Sequence, residues 1–579
     1  MRQTCLITVY SNAGMPAVHY QDGYLIRRVL VMTNVIHAET AAGKPDAADI
    51  IMLHDSVAAD YADYVTDESR MQGTMTGIAF PRSEEEVAAV CAYCMKHSLP
   101  VTVSGARTGI TGGAVPEGSV VISFEKMDRI TGMARSSTTG EFIIRCQPGV
   151  IIDELKNYVA SASFPGSDTW DPASSRALEE FRESPAQIYP PDPTELSATL
   201  GGTVACNASG ARSFTYGPTR NYIESLRAVL ADGSVIQLER GTHKASADGS
   251  FILAMPDGSE RKGTIPSYAM PQGKNAAGYY ATPHMDLIDL FIGAEGTLAV
   301  ITEISIRIIQ SPGDTLGILA FFPRQANAVE FVRRCRGEID GGDSAGPRPL
   351  ALEYFDSRSL ALLKKQKQET GPDSPIPALP PDAEYAVYAE WAYTPSTFDE
   401  IAMSALELLE TCGSREDTAW TATEKHEVQR IKAFRHALPE AVNQLIGQRR
   451  KKEPGLTKLG TDMAVPDEHL ETMLDYYNSE LKKACLDYVI FGHIGDNHLH
   501  VNILPRTMDE YQRGKEVYSR FAEKAVELGG TVSAEHGIGK LKTPFLKILY
   551  KEDAIDEMRS VKQVFDPAGL LNRGNVFVV

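Results

Sequence analysis

Between two short apolar runs, Val101-Thr102-Val103 and Val120 to Phe124, the chain reads Ser104-Gly105-Ala106-Arg107-Thr108-Gly109-Ile110-Thr111-Gly112-Gly113. The flanking runs are rich in β-branched residues and of strand length, so the segment reads as a glycine-rich loop joining two buried strands. Glycines let consecutive backbone N–H groups approach an anion, and Arg107 or the Thr108 hydroxyl can add a contact to a pyrophosphate. The plainer reading is a tight connection in which glycine only supplies positive φ. The Gly-x-Gly-x-x-Gly spacing of a Rossmann unit is absent, and so is the Gly-Lys-Ser/Thr loop of phosphate-loop enzymes.

Upstream, Ser83 can cap a helix with Glu86 closing a capping box. Val87, Val90, Cys91, Cys94 and Met95 then recur at three and four, which puts both sulfurs on the core stripe and makes Cys91-x-x-Cys94 a packing feature. Leu99-Pro100 ends that helix.

Downstream, Tyr189 to Thr194 and Leu200 to Gly210 carry prolines and glycines that imply shaped, extended backbone instead of helix. A third loop, Gly293-Ala294-Glu295-Gly296-Thr297-Leu298, precedes a period-two strand in which Ile304, Ile306 and Ile308 alternate with Glu303, Ser305 and Arg307. Three such loops abutting strands suggest one extended ligand. Segments 161–188 and 240–272, rich in Ser, Asp, Gly and Pro, read as surface insertions. Beyond Pro312 the texture shifts to longer helices, with breaks at Gly341 to Pro349 and Gly371 to Pro381, which marks a second domain.

With 579 residues the chain holds about four units at roughly 150 residues each, or fewer if one is large. Its 43% hydrophobic and 23% charged residues are those of a folded globular protein. The 57 Lys and Arg against 76 Asp and Glu give −19, which argues against nucleic acid; Arg449 to Lys452 reads as a solvated helix end. Eight scattered cysteines form no disulfide framework, and no apolar run approaches the ~20 residues of a membrane span. Arg27-Arg28 interrupt the apolar Leu25 to Met32, so no signal peptide is expected; a transit segment or a gene start ahead of Met32 are the readings left for residues 1–31.

The residues that promise chemistry lie late. His493, His498 and His500 place three of the thirteen histidines within Phe491 to Asn502. His498 and His500 on a strand would share a face, and with His493 they could bind a divalent metal if a carboxylate joined them. Glu535 supplies one, and neighbouring His536 is a candidate general base. The bland alternative is a pair of hydrogen-bonded loop clusters. Arg435 interrupts the apolar stripe Val428, Ile431, Leu438, Val442 and Leu445, in a helix that Pro439 is expected to kink; a cation there needs an anion, either a substrate carboxylate or an internal Asp or Glu.

Taken in order, the Ser104–Gly113 loop with Ala114-Val115-Pro116, Pro191-Asp192-Pro193-Thr194, Gly201 to Asn207, Gly293 to Leu298, Gly492-His493-Ile494-Gly495-Asp496, Ser533-Ala534-Glu535-His536-Gly537 and Phe565-Asp566-Pro567 resemble vanillyl-alcohol-oxidase/p-cresol-methylhydroxylase-type flavoproteins. The resemblance is to the branch of D-lactate dehydrogenase (cytochrome), D-2-hydroxyglutarate dehydrogenase and the glycolate oxidase catalytic subunit, and covers about residues 50–579. It implies an α+β protein: an N-terminal extension over 1–49, a two-subdomain FAD-binding domain over 50–310, and an α+β substrate-cap domain over 311–579 whose last segment returns to the flavin. Ser104, Gly105, Ala106, Arg107, Thr108, Gly109, Gly112 and Gly113 would hold the FAD pyrophosphate. Pro191, Asp192, Thr194, Gly201, Gly202, Asn207, Glu295, Gly296, Leu298 and Asn572 would surround the rest of a dissociable FAD. His493, His500 and Glu535 would bind a divalent metal (Zn, Mn or Fe), with His536 as base, Asn502 a substrate contact and Arg435 the carboxylate clamp.

The implied activity is FAD-dependent oxidation of a D-2-hydroxy acid, D-lactate-like, to the 2-oxo acid, with hydride passing to flavin N5. Electrons would go to a separate acceptor: a quinone, a cytochrome, an electron-transfer flavoprotein or an iron–sulfur subunit. The expected location is cytoplasmic or membrane-peripheral, and mitochondrial in a eukaryote. Departures exist: Gly-Gly-Gly-Thr is here Gly105-Ala106-Arg107-Thr108, Gly-Asp-Gly-Asn-x-His is Gly495-Asp496-Asn497-His498-Leu499-His500, so that His498 is an extra ligand or a neighbour, and Leu-Asn-Pro-Gly-Lys is Leu571-Asn572-Arg573-Gly574-Asn575. The alternatives are an alkyl-dihydroxyacetone-phosphate-synthase-like transferase, which Glu535 disfavours because that group carries His there, a flavin-free metallohydrolase, and an FAD-binding electron-carrier subunit.

Overall fold

The computed structural model describes residues 51–52, 61–339, 347–371, 374 and 376–578. The proposed N-terminal extension and the Gly341 to Gly346 part of the first break lie outside them. No described helix is long and apolar enough to cross a membrane.

Four strands form the first sheet, in the order Ile51–Met52, Thr74–Ala79, Glu117–Ser123, Val101–Ser104. The last three are parallel. The helix Glu84–Lys96 lies in sequence between two of them and starts where the sequence places it: the Ser83 hydroxyl accepts from the Glu86 N–H at 3.3 Å, while the Glu86 carboxylate reaches back to the Arg82 N–H at 2.7 Å. Val87, Val90, Cys91 and Cys94 are buried against Val101, Val120 and Ile122. Burial pushes the Cys94 thiol up to about 12 and raises Cys91 as well, so the pair packs as neutral thiols.

The second sheet is antiparallel and runs Ile130–Arg135, Phe142–Cys146, Val300–Gln310, Ile223–Val229, Val235–Glu239. Its centre is the period-two strand, with Ile304, Ile306 and Ile308 fully buried. Both segments expected as surface insertions are instead part of this core. In 161–188, Asp171 caps the helix Pro172–Glu183, whose Phe181 meets Phe142 edge-on at 5.0 Å. In 240–272, the hairpin Ser250–Ala254/Glu260–Thr264 buries Phe251, Leu253 and Met255. The polar residues that suggested loops are caps and turns around short amphipathic elements.

The third sheet is antiparallel, in the order Trp420–Ala422, Asp314–Phe322, Tyr385–Tyr393, Ala351–Phe355, Tyr488–His493, His498–Ile503, Leu459–Gly460. The helix Lys425–Arg450 packs beside it, burying Ile431, Leu438 and Val442, and runs unbroken through Pro439. After the helix Glu552–Phe565 the chain comes back to the first sheet: Val101 N–H donates to Leu570 O at 2.9 Å and Asn572 N–H to Val101 O at 2.8 Å.

Candidate active site

The strand Tyr488–His493 and the strand His498–Ile503 pair so that His493 faces His498 and Phe491 faces His500. Period two then puts His498, His500 and Asn502 on one face. Glu535 arrives from the loop after Thr531 and lies among all three imidazoles: His493 Nε2 is 3.4 Å away, His498 Nδ1 3.7 Å and His500 Nε2 3.5 Å. One donor atom from each of these four residues fits within 4.8 Å of the others. The structure thus brings together His493, His500 and Glu535 and adds His498 to them.

Each ring is held from behind. His493 Nδ1 bonds Glu353, His500 Nδ1 lies 3.2 Å from Thr461 O, and His498 Nε2 lies 2.9 Å from Asp462 Oδ1. Burial would raise Glu353, but His493 and Arg435 overrule it and hold it at about 2. Burial opposes charge on His493 too, yet Glu353 lifts it to about 9; at His498 burial, joined by His500 and Lys274, outweighs Glu535 and Asp462 and holds it well below its usual value.

His536 stacks on His500 with centroids 5.6 Å apart. Asp462 fixes it twice, accepting from its backbone N–H at 3.0 Å and meeting Nδ1 at 3.2 Å, which leaves Nε2 3.2 Å from Glu535 Oε1. Lys542 and Ser533 also bond Asp462, at 2.6 and 2.7 Å. Burial opposes a charge on His536, but Asp462 outweighs it and raises its pKa.

Arg435 has found an internal anion: its Nη2 lies 3.3 Å from Glu353 Oε1, with the guanidinium over the Tyr388 ring. Glu353 therefore joins Arg435 to His493. Reading the sequence missed it, although a lone carboxylate in the apolar strand Ala351–Phe355 is a usable signal. Asp462 and Lys274 were missed as well. Lys274 is buried and donates to Glu535 Oε2 at 3.1 Å and to Gly210 O at 3.4 Å; nothing in its local sequence marks it.

On the other side of His536, Thr111 Oγ1 donates to the His536 carbonyl at 3.4 Å, and Thr111 O accepts from Lys540 and Leu541 N–H. Ser104 ends its strand fully buried; the N–H groups of residues 105–111 have no hydrogen-bond partner among the described residues. Such a run of free N–H groups past the C-terminal end of a parallel strand fits a phosphate. The Arg107 side chain is turned away from that use, lying over Tyr64 and 3.4 Å from Glu125.

The expected extended backbone at 200–210 is partly a helix: Thr199 caps Leu200–Ala205, which carries Gly201 and Gly202. The backbone tolerates this because Gly201 sits against Pro148, where a Cβ would come within 2.6 Å. Pro191 is buried, Asp192 pairs with Lys156 at 2.8 Å and Thr194 is exposed. Asn207 accepts from the Arg220 N–H at 3.0 Å. Leu298 is fully buried, and the Glu295 carboxylate is spent on the N–H groups of Ile538 and Gly539, at 2.6 and 2.7 Å. Asn572 bridges Val103 N–H and Glu295 O, so this side is a knot of backbone contacts.

The loop at 105–111, with its free N–H groups, and the histidine–carboxylate cluster thus meet at His536. The FAD binding domain family matches residues 75–174 and 173–239, and the C-terminal domain family of FAD linked oxidases matches 313–576. The chain belongs to the FAD-linked oxidoreductase family that these two domains make up. It is 28% identical over 510 residues to the glycolate oxidase subunit GlcD of Bacillus subtilis, covering 87% of this chain and 90% of that protein. With the D-lactate dehydrogenase of Anaerostipes hadrus it shares 29% over 508 residues, 85% and 88% of the two chains. A solved 4-ethylphenol oxidase from Gulosibacter chungangensis shares the fold, with a TM-score of 0.59 at 16% identity over 92% of this chain and 95% of that one.

Proposed function

We propose that the protein oxidises a D-2-hydroxy acid of the lactate type to its 2-oxo acid and hands the electrons to a separate acceptor: a quinone, a cytochrome, an electron-transfer flavoprotein or an iron–sulfur subunit. The observation that carries this reading is His536, locked by Asp462 with Nε2 aimed at the carboxylate on which three histidines converge. Relatives named D-lactate dehydrogenase and glycolate oxidase subunit support it.

In this reading residues 50–310 bind FAD and residues 311–579 cap it. Free N–H groups of 105–111 take the pyrophosphate, and Pro191, Asp192, Thr194, Gly201, Gly202, Asn207, Glu295, Gly296, Leu298 and Asn572 shape the rest of the cofactor site. When bound, FAD supplies the acceptor for the hydride that leaves the α-carbon. Residues His493, His500 and Glu535 hold a divalent metal, for which the buried Nε2 of His493, without a hydrogen bond and 3.4 Å from Glu535, is an opening. When bound, such an ion supplies a Lewis acid that acidifies the α-hydroxyl. His536 Nε2 takes the hydroxyl proton, and Asp462 steadies the imidazolium that results. Arg435 orients the substrate carboxylate while Glu353 fixes the guanidinium, and Asn502 contacts the substrate from the His500 face.

The visible spectrum under anaerobic conditions tests this. Oxidised-flavin bands that bleach with a D-2-hydroxy acid and persist with its L-form are expected. A yellow protein that no D-acid bleaches would overturn the proposal while leaving the fold intact.

A further inference from the structure

We infer that His498 is a fourth protein donor to the metal, so that this site is built of three imidazoles and one carboxylate. The inference rests on the metal reading proposed above and concerns a residue that reading leaves unassigned. His498 is fully buried, and neither of its ring nitrogens makes a hydrogen bond of good geometry. A buried imidazole whose inward nitrogen, Nδ1, makes no hydrogen bond is uncommon and asks for a ligand.

The three rings follow one plan. Each has a nitrogen turned outward to an oxygen that fixes its orientation, and the other turned inward to Glu535. For His493 the outward atom is Nδ1, on Glu353; for His500 it is Nδ1, on Thr461 O at 3.2 Å. His498 is the reverse, with Nε2 outward at 2.9 Å from Asp462 and Nδ1 inward at 3.7 Å from Glu535. The reversal follows from the strand: His498 and His500 lie two residues apart on one face, with ring centroids 4.4 Å apart, and opposite ring nitrogens let both reach the same carboxylate. An outward carboxylate behind a metal-binding imidazole is the usual way such a ring is held. Lys274 donates to Glu535 and Gly210, lies 3.9 Å from Asp496 and donates to none of the imidazoles.

A nitrogen-rich set has a consequence for the choice of ion. Three imidazoles and one carboxylate favour zinc or ferrous iron over manganese, which prefers oxygen donors. His498 is thus a specificity-determining residue as well as a ligand.

The test uses the FAD-loaded protein stripped of metal and refilled with zinc. X-ray absorption at the zinc edge is expected to count three imidazoles; two imidazoles would overturn the inference while leaving the three-ligand reading standing. Chelator competition on His498→Asn should show zinc affinity lowered on the order of a hundredfold, with manganese affinity much less changed. Equal losses for both ions, or none, would overturn it. A wild-type protein that takes up no stoichiometric zinc would overturn the inference together with the metal reading, and the flavin-bleaching experiment reports separately on the reaction.

Discussion

The two halves of the candidate site are built of opposite materials. On the proposed flavin side the groups left free are backbone N–H groups, and the side chains nearby, Glu295, Asn572 and Asn575, are occupied in tying loops together. On the cap side nearly every working atom is a side chain, and each ring or guanidinium is held by a second residue. A backbone site fails when a neighbour is forced aside, whereas a side-chain site fails when its supporting partner is removed.

Gly201→Val should therefore have the largest effect. Its Cβ would sit 2.6 Å from Pro148 Cβ and 3.0 Å from Pro148 O, neither of which can swing away. Destabilisation on the order of 3 kcal/mol and loss of bound flavin are expected, read by melting temperature and by the 450 nm band per protein. The contrast is Gly447 in the cap-side helix, with nothing within 4 Å of a Cβ: Gly447→Ala should stabilise by about 0.5–1 kcal/mol. Full flavin content in Gly201→Val would mean that the backbone half is softer than its contacts imply.

The converse on the cap side is Glu353→Gln, which leaves the metal-facing atoms in place and removes only the group behind His493 and Arg435. Metal affinity should drop about 10- to 100-fold, with flavin retained. Unchanged affinity would show that His493 needs no carboxylate behind it. Arg435→Ala should raise KM about 30-fold, corresponding to roughly 2 kcal/mol, again with flavin retained. Loss of flavin instead would make Arg435 a structural cation.

The same contrast explains what the sequence revealed. Glycine clusters and the period-two strand from Ile304 to Ile308 announce the flavin half, because backbone sites leave their mark in the local residues themselves. The histidines announce the cap half for a similar reason: His493, His498 and His500 stand together on two paired strands. Their supports do not. Glu353 comes from a strand 140 positions away, Asp462 sits 74 positions before His536, and Lys274 reaches Glu535 across 261. Long-range partners of this kind carry no local pattern. The misread insertions failed differently, since in 161–188 and 240–272 short amphipathic elements were outnumbered by their own capping and turn residues.

The last test probes the cap half away from the histidine cluster. Asp356 caps the helix Ser357–Thr370, its carboxylate accepting from the Ser359 N–H at 2.8 Å and the Ser359 hydroxyl at 2.6 Å. Burial raises its pKa from 3.8 to about 6, against the lowering pull of those hydrogen bonds. The folded state therefore binds this proton more tightly than the unfolded one. Its contribution to stability is complete below about pH 4 and is lost as pH rises through about 6. Asn caps helices as well as Asp and cannot ionise. Asp356→Asn should flatten the melting temperature's dependence on pH between 4 and 6, a gain at pH 7 of up to about 3 kcal/mol relative to wild type. Identical pH slopes in the two proteins would mean that the Ser359 contacts offset burial and leave this carboxyl unshifted, and a wild-type stability that rises with pH over this range would mean that they outweigh it. The cap half would then differ from the other side of the site, where burial carries the Glu295 carboxyl up to about 7 despite the two backbone N–H groups it accepts from.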